Sequence, residues 1–166
     1  MYYLCGMTEL IIFLLGALCV SFLCSILEAS LMSTPFSYIT LKEEEGHKSA
    51  KLFKQYKQDP SRALAAILSL NTIANTIGAA GVGKQATEVF GSQWFGLVSA
   101  ATTVLILVFS EIIPKTIGTA HWKSLTGFTA SAIRLLIAVL FPIVVCVEFI
   151  QKLIFWYFFY DLALLK

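Results

Sequence analysis

Three stretches of this chain carry no charged side chain for long enough to cross a lipid bilayer as helix: Leu10 to Leu27, Ala63 to Gly83 and Val89 to Ser110. A crossing takes ~20 residues, and the first stretch stays apolar past Glu28 as far as Met32. Composition points the same way. Of 166 residues 58% are hydrophobic and 13% charged, where an ordinary soluble domain has about a quarter charged. So few polar side chains cannot cover a water-facing surface, whereas in lipid the apolar ones face outward. The expected class is an all-α integral membrane protein with three transmembrane helices, at about 8–33, 62–83 and 90–113. The first is not expected to be a signal peptide: its apolar part is too long, no basic segment precedes it, and Glu28 sits badly near a cleavage site.

Several function classes fall away at once. The net charge is only +2 and no basic stripe with interleaved aromatics occurs, so no nucleic-acid partner is expected. Cys5, Cys19, Cys24 and Cys146 form no CxxC or Cys/His metal spacing, and read as buried or lipid-facing thiols. His47 lies in a polar linker and His121 beyond the third span. Neither a Ser–Lys dyad nor a His-rich motif falls at membrane depth, and no enzyme is expected.

A fourth apolar segment, Leu135 to Val147, has only 13 residues between Arg134 and Glu148 and is interrupted by Pro142. Runs of about 10–14 residues more often lie at the interface or re-enter than span. Arg134, Glu148 and Lys152 fall near one line of a continuous helical wheel, a polar stripe suited to a helix lying in the membrane surface. Trp156, Tyr157 and Tyr160 suit the headgroup level. This assigns a C-terminal amphipathic juxtamembrane helix to about 124–162, and a second to the linker at about 36–58; the competing reading is a fourth span ending near Tyr160. In the linker, Glu43, Glu44 and Glu45 followed by lysines permit i,i+4 pairs. Lys42, Lys48, Lys51, Lys54, Lys57 and Arg62 all lie between the first two spans, against Lys84 alone between the second and third. Basic loops stay in the cytoplasm, so the N-terminus is expected outside and the C-terminus inside a cell membrane.

Charge inside a membrane helix is costly and usually faces the bundle interior or a wet cavity. Ser21, Ser25 and Glu28 stand at i, i+4 and i+7 on the first span, and Asn71, Asn75 and Gly78 repeat that spacing on the second. On the third, Glu111 precedes Pro114, Lys115 and Gly118. Pro114 cannot donate to Ser110 and is expected to kink or break the helix, freeing carbonyls beside Glu111. Hydroxyl, amide oxygen, carboxylate and carbonyl are hard donors, suited to Mg2+, Na+ or Ca2+ and not to Zn2+ or copper. The same groups could instead bond back to their own helix or simply hold helices together.

Three segments in order resemble the transmembrane domain of the CorC/cyclin M family. Ser25-Ile-Leu-Glu28-Ala-Ser30-Leu-Met-Ser33 is similar to its S-x-x-E-x-A-L-x-S. Asn71-Thr72-Ile73-Ala74-Asn75 resembles its N-x-x-x-N, and Ser110-Glu111-Ile112-Ile113-Pro114-Lys115 its G-E-x-x-P-K, with Ser110 at the usual glycine. The resemblance implies a homodimer with a juxtamembrane belt. It also implies a largely dehydrated Mg2+ held by Ser25, Asn75, Glu111 and a backbone carbonyl at or beside Gly118. Glu28 and Asn71 match motif positions and are read as supporting or coupling-ion residues. Longer relatives carry paired nucleotide-binding CBS domains in the cytoplasm; nothing of that kind precedes Lys166, so no nucleotide control is assigned to these residues. The expected function is Mg2+ efflux by alternating access, with Na+ coupling taken from the resemblance alone. The alternatives are a Mg2+-sensing or regulatory membrane protein that moves no ion, and a helical subunit whose polar groups only hold a dimer together.

Overall fold

A computed structural model describes the backbone of residues 2–164 and the side chains of residues 6–157. Helix α1 runs Tyr2–Ser33 and ends before Pro35, with Thr34 donating back to the Ser30 carbonyl at 2.7 Å. Two short helices follow, α2 at Phe36–Glu44 and α3 at Lys48–Gln58. Helix α4 occupies Ser61–Phe90. Its start is set by Pro60 and by the Asp59 carboxylate, which accepts the Ser61 N–H at 3.2 Å. Its end is set by Gly91, at φ 88°, a region only glycine enters freely. The third long helix is composite: a 3-10 turn Ser92–Trp94, α5 at Phe95–Leu105, a π segment Ile106–Ile112 and α6 at Ile113–Ala120. Helices α7 (Trp122–Val139) and α8 (Phe141–Leu164) close the chain.

Three helical runs are long and apolar enough to span a bilayer: Gly6–Ser33, Ser61–Phe90 and Ser92–Ala120. Their outward residues Ile12, Leu15, Ile77, Leu97, Val104 and Ile112 are all more than half exposed, as lipid-facing side chains must be. No strand occurs among the described residues. The fold is all-α, with three spans and a C-terminal helix pair.

Pairings fix how the spans run. Gly78 of α4 packs on Ala17, Gly81 on the Phe13 ring, and Gly6 lies beside Val89, so α1 and α4 are antiparallel. Small residues at these crossings permit close backbone approach. Against the third span α1 is parallel: Ser110 meets Leu18 and Gly118 meets Ile26. The principal core, Cys24, Leu27, Leu31, Ile39, Phe53, Ala63, Ile67, Ala130 and Ile133, lies wholly at the end of the bundle where α2, α3 and α7 gather, called here the linker end.

The structure departs from the sequence reading in five places. The linker is two helices rather than one over 36–58, because Gly46 takes φ 84°. That turn removes the i,i+4 pairs; Lys42 instead bonds Glu45, and Lys54 of α3 crosses to Glu43 of α2. The segment 124–162 is likewise two helices, meeting at 89° around Leu140. Pro142 sits in the first turn of α8, where no N–H is needed. The corner excludes one straight polar stripe through Arg134, Glu148 and Lys152, and Glu148 turns to Arg62 instead. The same corner suits a juxtamembrane position better than a straight fourth span. Finally, the third span does not stop at Pro114 but runs on to Ala120. Cys24 is buried and Cys19 and Cys146 are exposed; Cys5 and Tyr160 lie outside the described side chains.

Candidate intramembrane cation site

The third span absorbs its proline by widening. Over Ile106–Ile112 the hydrogen bonds run to the fifth preceding residue, the last from Ile113 N–H to the Val108 carbonyl. The next rung in that register would run from Pro114 to Phe109, and proline has no donor. A carbonyl is thus left without its helix partner two residues before Glu111, while the helix itself continues. Single turns of this kind are frequent at functional sites. The widened turn sets Ser110, Pro114 and Gly118 in the buried interior, with Glu111 and Lys115 half-buried beside them, and leaves Phe109 and Ile112 facing out.

On α1, Ser21 and Ser25 are fully buried and Glu28 is half-buried. Ser21 donates to Asn71 Oδ1 at 2.5 Å, tying α1 to α4 in mid-span. Ser25 Oγ and Asn75 Oδ1 are buried and have no hydrogen-bond partner; a third such atom is Gln85 Oε1, near the far end, whose amide nitrogen is bonded to Glu9. An unsatisfied buried polar atom costs about 1–3 kcal/mol, so two of them one turn either side of the Ser21–Asn71 bond call for a reason.

Their placement follows from the helix pairings. Asn75, three residues before Gly78, lies near Val20 of α1, and Glu111, seven residues before Gly118, lies near the same turn. Ser25 is then about 8 Å along the bundle toward the linker end. Helical Cβ atoms tilt toward their own N-terminus. Because α1 and α4 are antiparallel, the Ser25 and Asn75 side chains lean toward each other. Asn75 and Glu111 thus lie near one level of the bundle, and Ser25, on the third of the spans, lies about 8 Å from that level with the Ser21–Asn71 bond between it and Asn75. Gly118 lies at the level of Ile26, beside Ser25. With the helix unbroken it lies about 10 Å beyond Glu111, packed against the Ile26 carbonyl and Ala29. The Phe109 carbonyl is the nearer candidate for a fourth oxygen. Of the two accessory residues, Asn71 is engaged by Ser21 and Glu28 by Lys115, at 3.2 Å.

Sequence reading missed two further contacts at the ends of α1. Lys57 of α3 donates to the Leu31 and Met32 carbonyls at 3.0 and 2.7 Å, capping the linker end of α1; burial pushes its pKa down. Gln85 reaches Glu9 at the other end. A lysine within a basic linker and a glutamine at a span end carry no local signal of such long-range partners. No group of three or more His, Cys, Asp or Glu residues placed to hold a metal ion occurs among the described residues, so a cation between the spans would rely on neutral oxygens beside Glu111 or Glu28.

The family description "cyclin M transmembrane N-terminal domain" matches residues 10–158. A UPF0053 protein of Synechocystis sp. is 31% identical over 142 residues, covering 86% of this chain and 41% of that protein. A UPF0053 protein of Haemophilus influenzae is 26% identical over 117 residues, covering 70% of this chain and 28% of its own length. The UPF0053 inner membrane protein YfjD of Escherichia coli is 26% identical over 78 residues, covering 47% and 18%. The chain thus spans less than half the length of the curated relatives it matches. With three spans and a match over nearly its whole length, this chain belongs to the cyclin M transmembrane-domain family.

Proposed function

We propose that this chain moves Mg2+ across a cell membrane, as Na+-coupled efflux, through the zone between Ser25, Asn75 and Glu111. The observation that supports the reading is the pair of buried oxygens without donors on two spans, Asn75 Oδ1 near the level of the third span's Glu111 and Ser25 Oγ about 8 Å from it. Mg2+ takes hard oxygen ligands in near-octahedral geometry and gives up water reluctantly. Glu111 supplies the charge that offsets lost hydration, and Ser25 and Asn75 supply neutral oxygens. Because the ligands sit on three helices, occupancy depends on the spacing of those helices, and release requires them to part. The working unit is a homodimer in the bilayer, with the N-terminus outside and the lysine-rich linker and C-terminus in the cytoplasm.

The test is flux from liposomes holding the purified chain, a Mg2+-reporting dye and a Na+ gradient. Wild type should move Mg2+, and Glu111→Ala should abolish the movement while keeping wild-type helicity. Undiminished flux in that variant would refute the site. Saturable Mg2+ binding with no flux under any gradient would mark the chain as a sensor instead.

A further inference from the structure

Lys115 lies one helical turn beyond Glu111 on the same face of the third span, yet it does not pair with it. Its ammonium sits 3.2 Å from Glu28 Oε2 on α1, with Glu28 the more buried partner. Glu111 pairs with no cationic side chain among the described residues. A lysine stem in a helix leans back toward the preceding turn, so Glu111 is within its reach. One ammonium therefore stands between two carboxylates on adjacent spans, and is committed to the one outside the cation zone.

We propose that Lys115 is a tethered competitor for the Glu111 carboxylate, and that Glu28 is the residue that parks it. This rests on the reading of Glu111 as a cation ligand. One lysine between two glutamates leaves a net negative charge, which a divalent ion turns positive. A carboxylate at membrane depth without a counter-charge is costly. With the divalent ion at Glu111, repulsion drives the ammonium onto Glu28, and the Glu28–Lys115 bridge holds α1 against α6 near the linker end. As the ion departs, the ammonium moves one turn back and neutralises Glu111, and that bridge opens. Across this seam the bridge adds to the packing of Gly118 on Ile26 and Ala29, and the other polar contact, Ser33 to Thr119 at 3.4 Å, is long and exposed. Exchange of a tethered cation for the transported one thus links occupancy of the zone to the α1–α6 contact, and lowers the barrier to release.

The proposal makes predictions of opposite sign for two halves of one ion pair. Mg2+ binding is read by calorimetry and by the Mg2+ dependence of thermal unfolding of the purified chain in detergent. Glu28→Gln unparks the ammonium and should weaken Mg2+ binding about tenfold, the order expected for losing one close charge coupling. Lys115→Met removes the competitor and should tighten binding several-fold while slowing release in liposomes. The double variant should follow Lys115→Met, and Lys115→Arg should return toward wild type. A purely structural ion pair would instead make both single variants bind more weakly, and that result, or no change in either, overturns the proposal. Should Glu28→Gln fail to fold, Lys115→Met alone decides: tighter binding supports the competitor, equal or weaker binding overturns it. Glu111→Ala separates the two levels. If it binds Mg2+ like wild type, or if wild type does not bind saturably, the cation site itself is wrong. If it loses binding while the Glu28 and Lys115 variants shift together, only the competitor is wrong.

Discussion

Replacing Gly118 with alanine tests whether α1 and α6 meet as closely as described. A Cβ built on Gly118 would lie 2.8 Å from the Ile26 carbonyl oxygen and 2.9 Å from the Ala29 Cβ. Carbon atoms rest about 3.5–4.0 Å apart, so the helices must separate by roughly 0.6–1 Å, and the obstacle is backbone rather than a pliable side chain. Overpacking of this kind costs about 1–3 kcal/mol. Alanine returns about 0.5–1 kcal/mol through its better helix propensity. The net loss is about 1–2 kcal/mol, or roughly 3–6 °C in Tm for a chain of this size. The assay is thermal unfolding in detergent followed by circular dichroism. Gly16, on the same α1, has nothing within 4 Å of its Cβ position, so Gly16→Ala should leave Tm unchanged or raise it. Adding Ala29→Gly to Gly118→Ala removes one of the two clashes and should recover part of the loss. If Gly118→Ala is as stable as Gly16→Ala, the close α1–α6 crossing is wrong, and with it the level assigned to Glu111.

Lys57→Met should cost about 1–2 kcal/mol, because two charge-assisted bonds to the end of α1 are lost from a partly exposed site. Since burial lowers its pKa, the unfolded chain holds that proton more tightly; stability should therefore rise with pH from the lowered pKa up to the ordinary value and be flat below, and Lys57→Met should abolish that rise. Asn71→Ala strands the buried Ser21 hydroxyl and should cost about 1–3 kcal/mol, whereas Ser21→Ala together with Asn71→Ala should cost less than the two single losses added, in a denaturation cycle. Arg62→Gln removes a two-point pair with Glu148 but should leave the thermal midpoint nearly unchanged, as the arginine is largely exposed.

The spans were legible because their signal is length without charge, which no packing detail overrides. The faces were legible too. Ser21 and Ser25, and Asn71, Asn75 and Gly78, share the spacing that turns both sets inward, and α1 and α4 do pack along them. Proline misled in one case and glycine was underweighted in another. Pro114 reads as a break, but a wider turn loses one bond where a break would lose several, and that moves Gly118 two turns away from the carboxylate. Gly46 offers no such choice once it takes a positive φ, so one linker helix becomes two. Which donor meets which acceptor was not legible. The Lys57 cap, the Ser21–Asn71 bond and the partner of Lys115 depend on the relative rotation and height of helices far apart in sequence, and residue spacing along one helix says nothing of either.

Burial is spread unevenly across the bilayer, and this has a mechanical consequence. At the linker end large side chains from α1, α2, α3, α4 and α7 interlock around Phe53 and Leu31. Toward the other end the contact of α1 narrows to α4, with Ala17 on Gly78, the Phe13 ring on Gly81 and the Gln85–Glu9 bond beyond. A seam between two helices has fewer contacts to lose on spreading than one interlocked among five. The spans are therefore clamped like tines in a handle, stiff at the root and compliant at the tips.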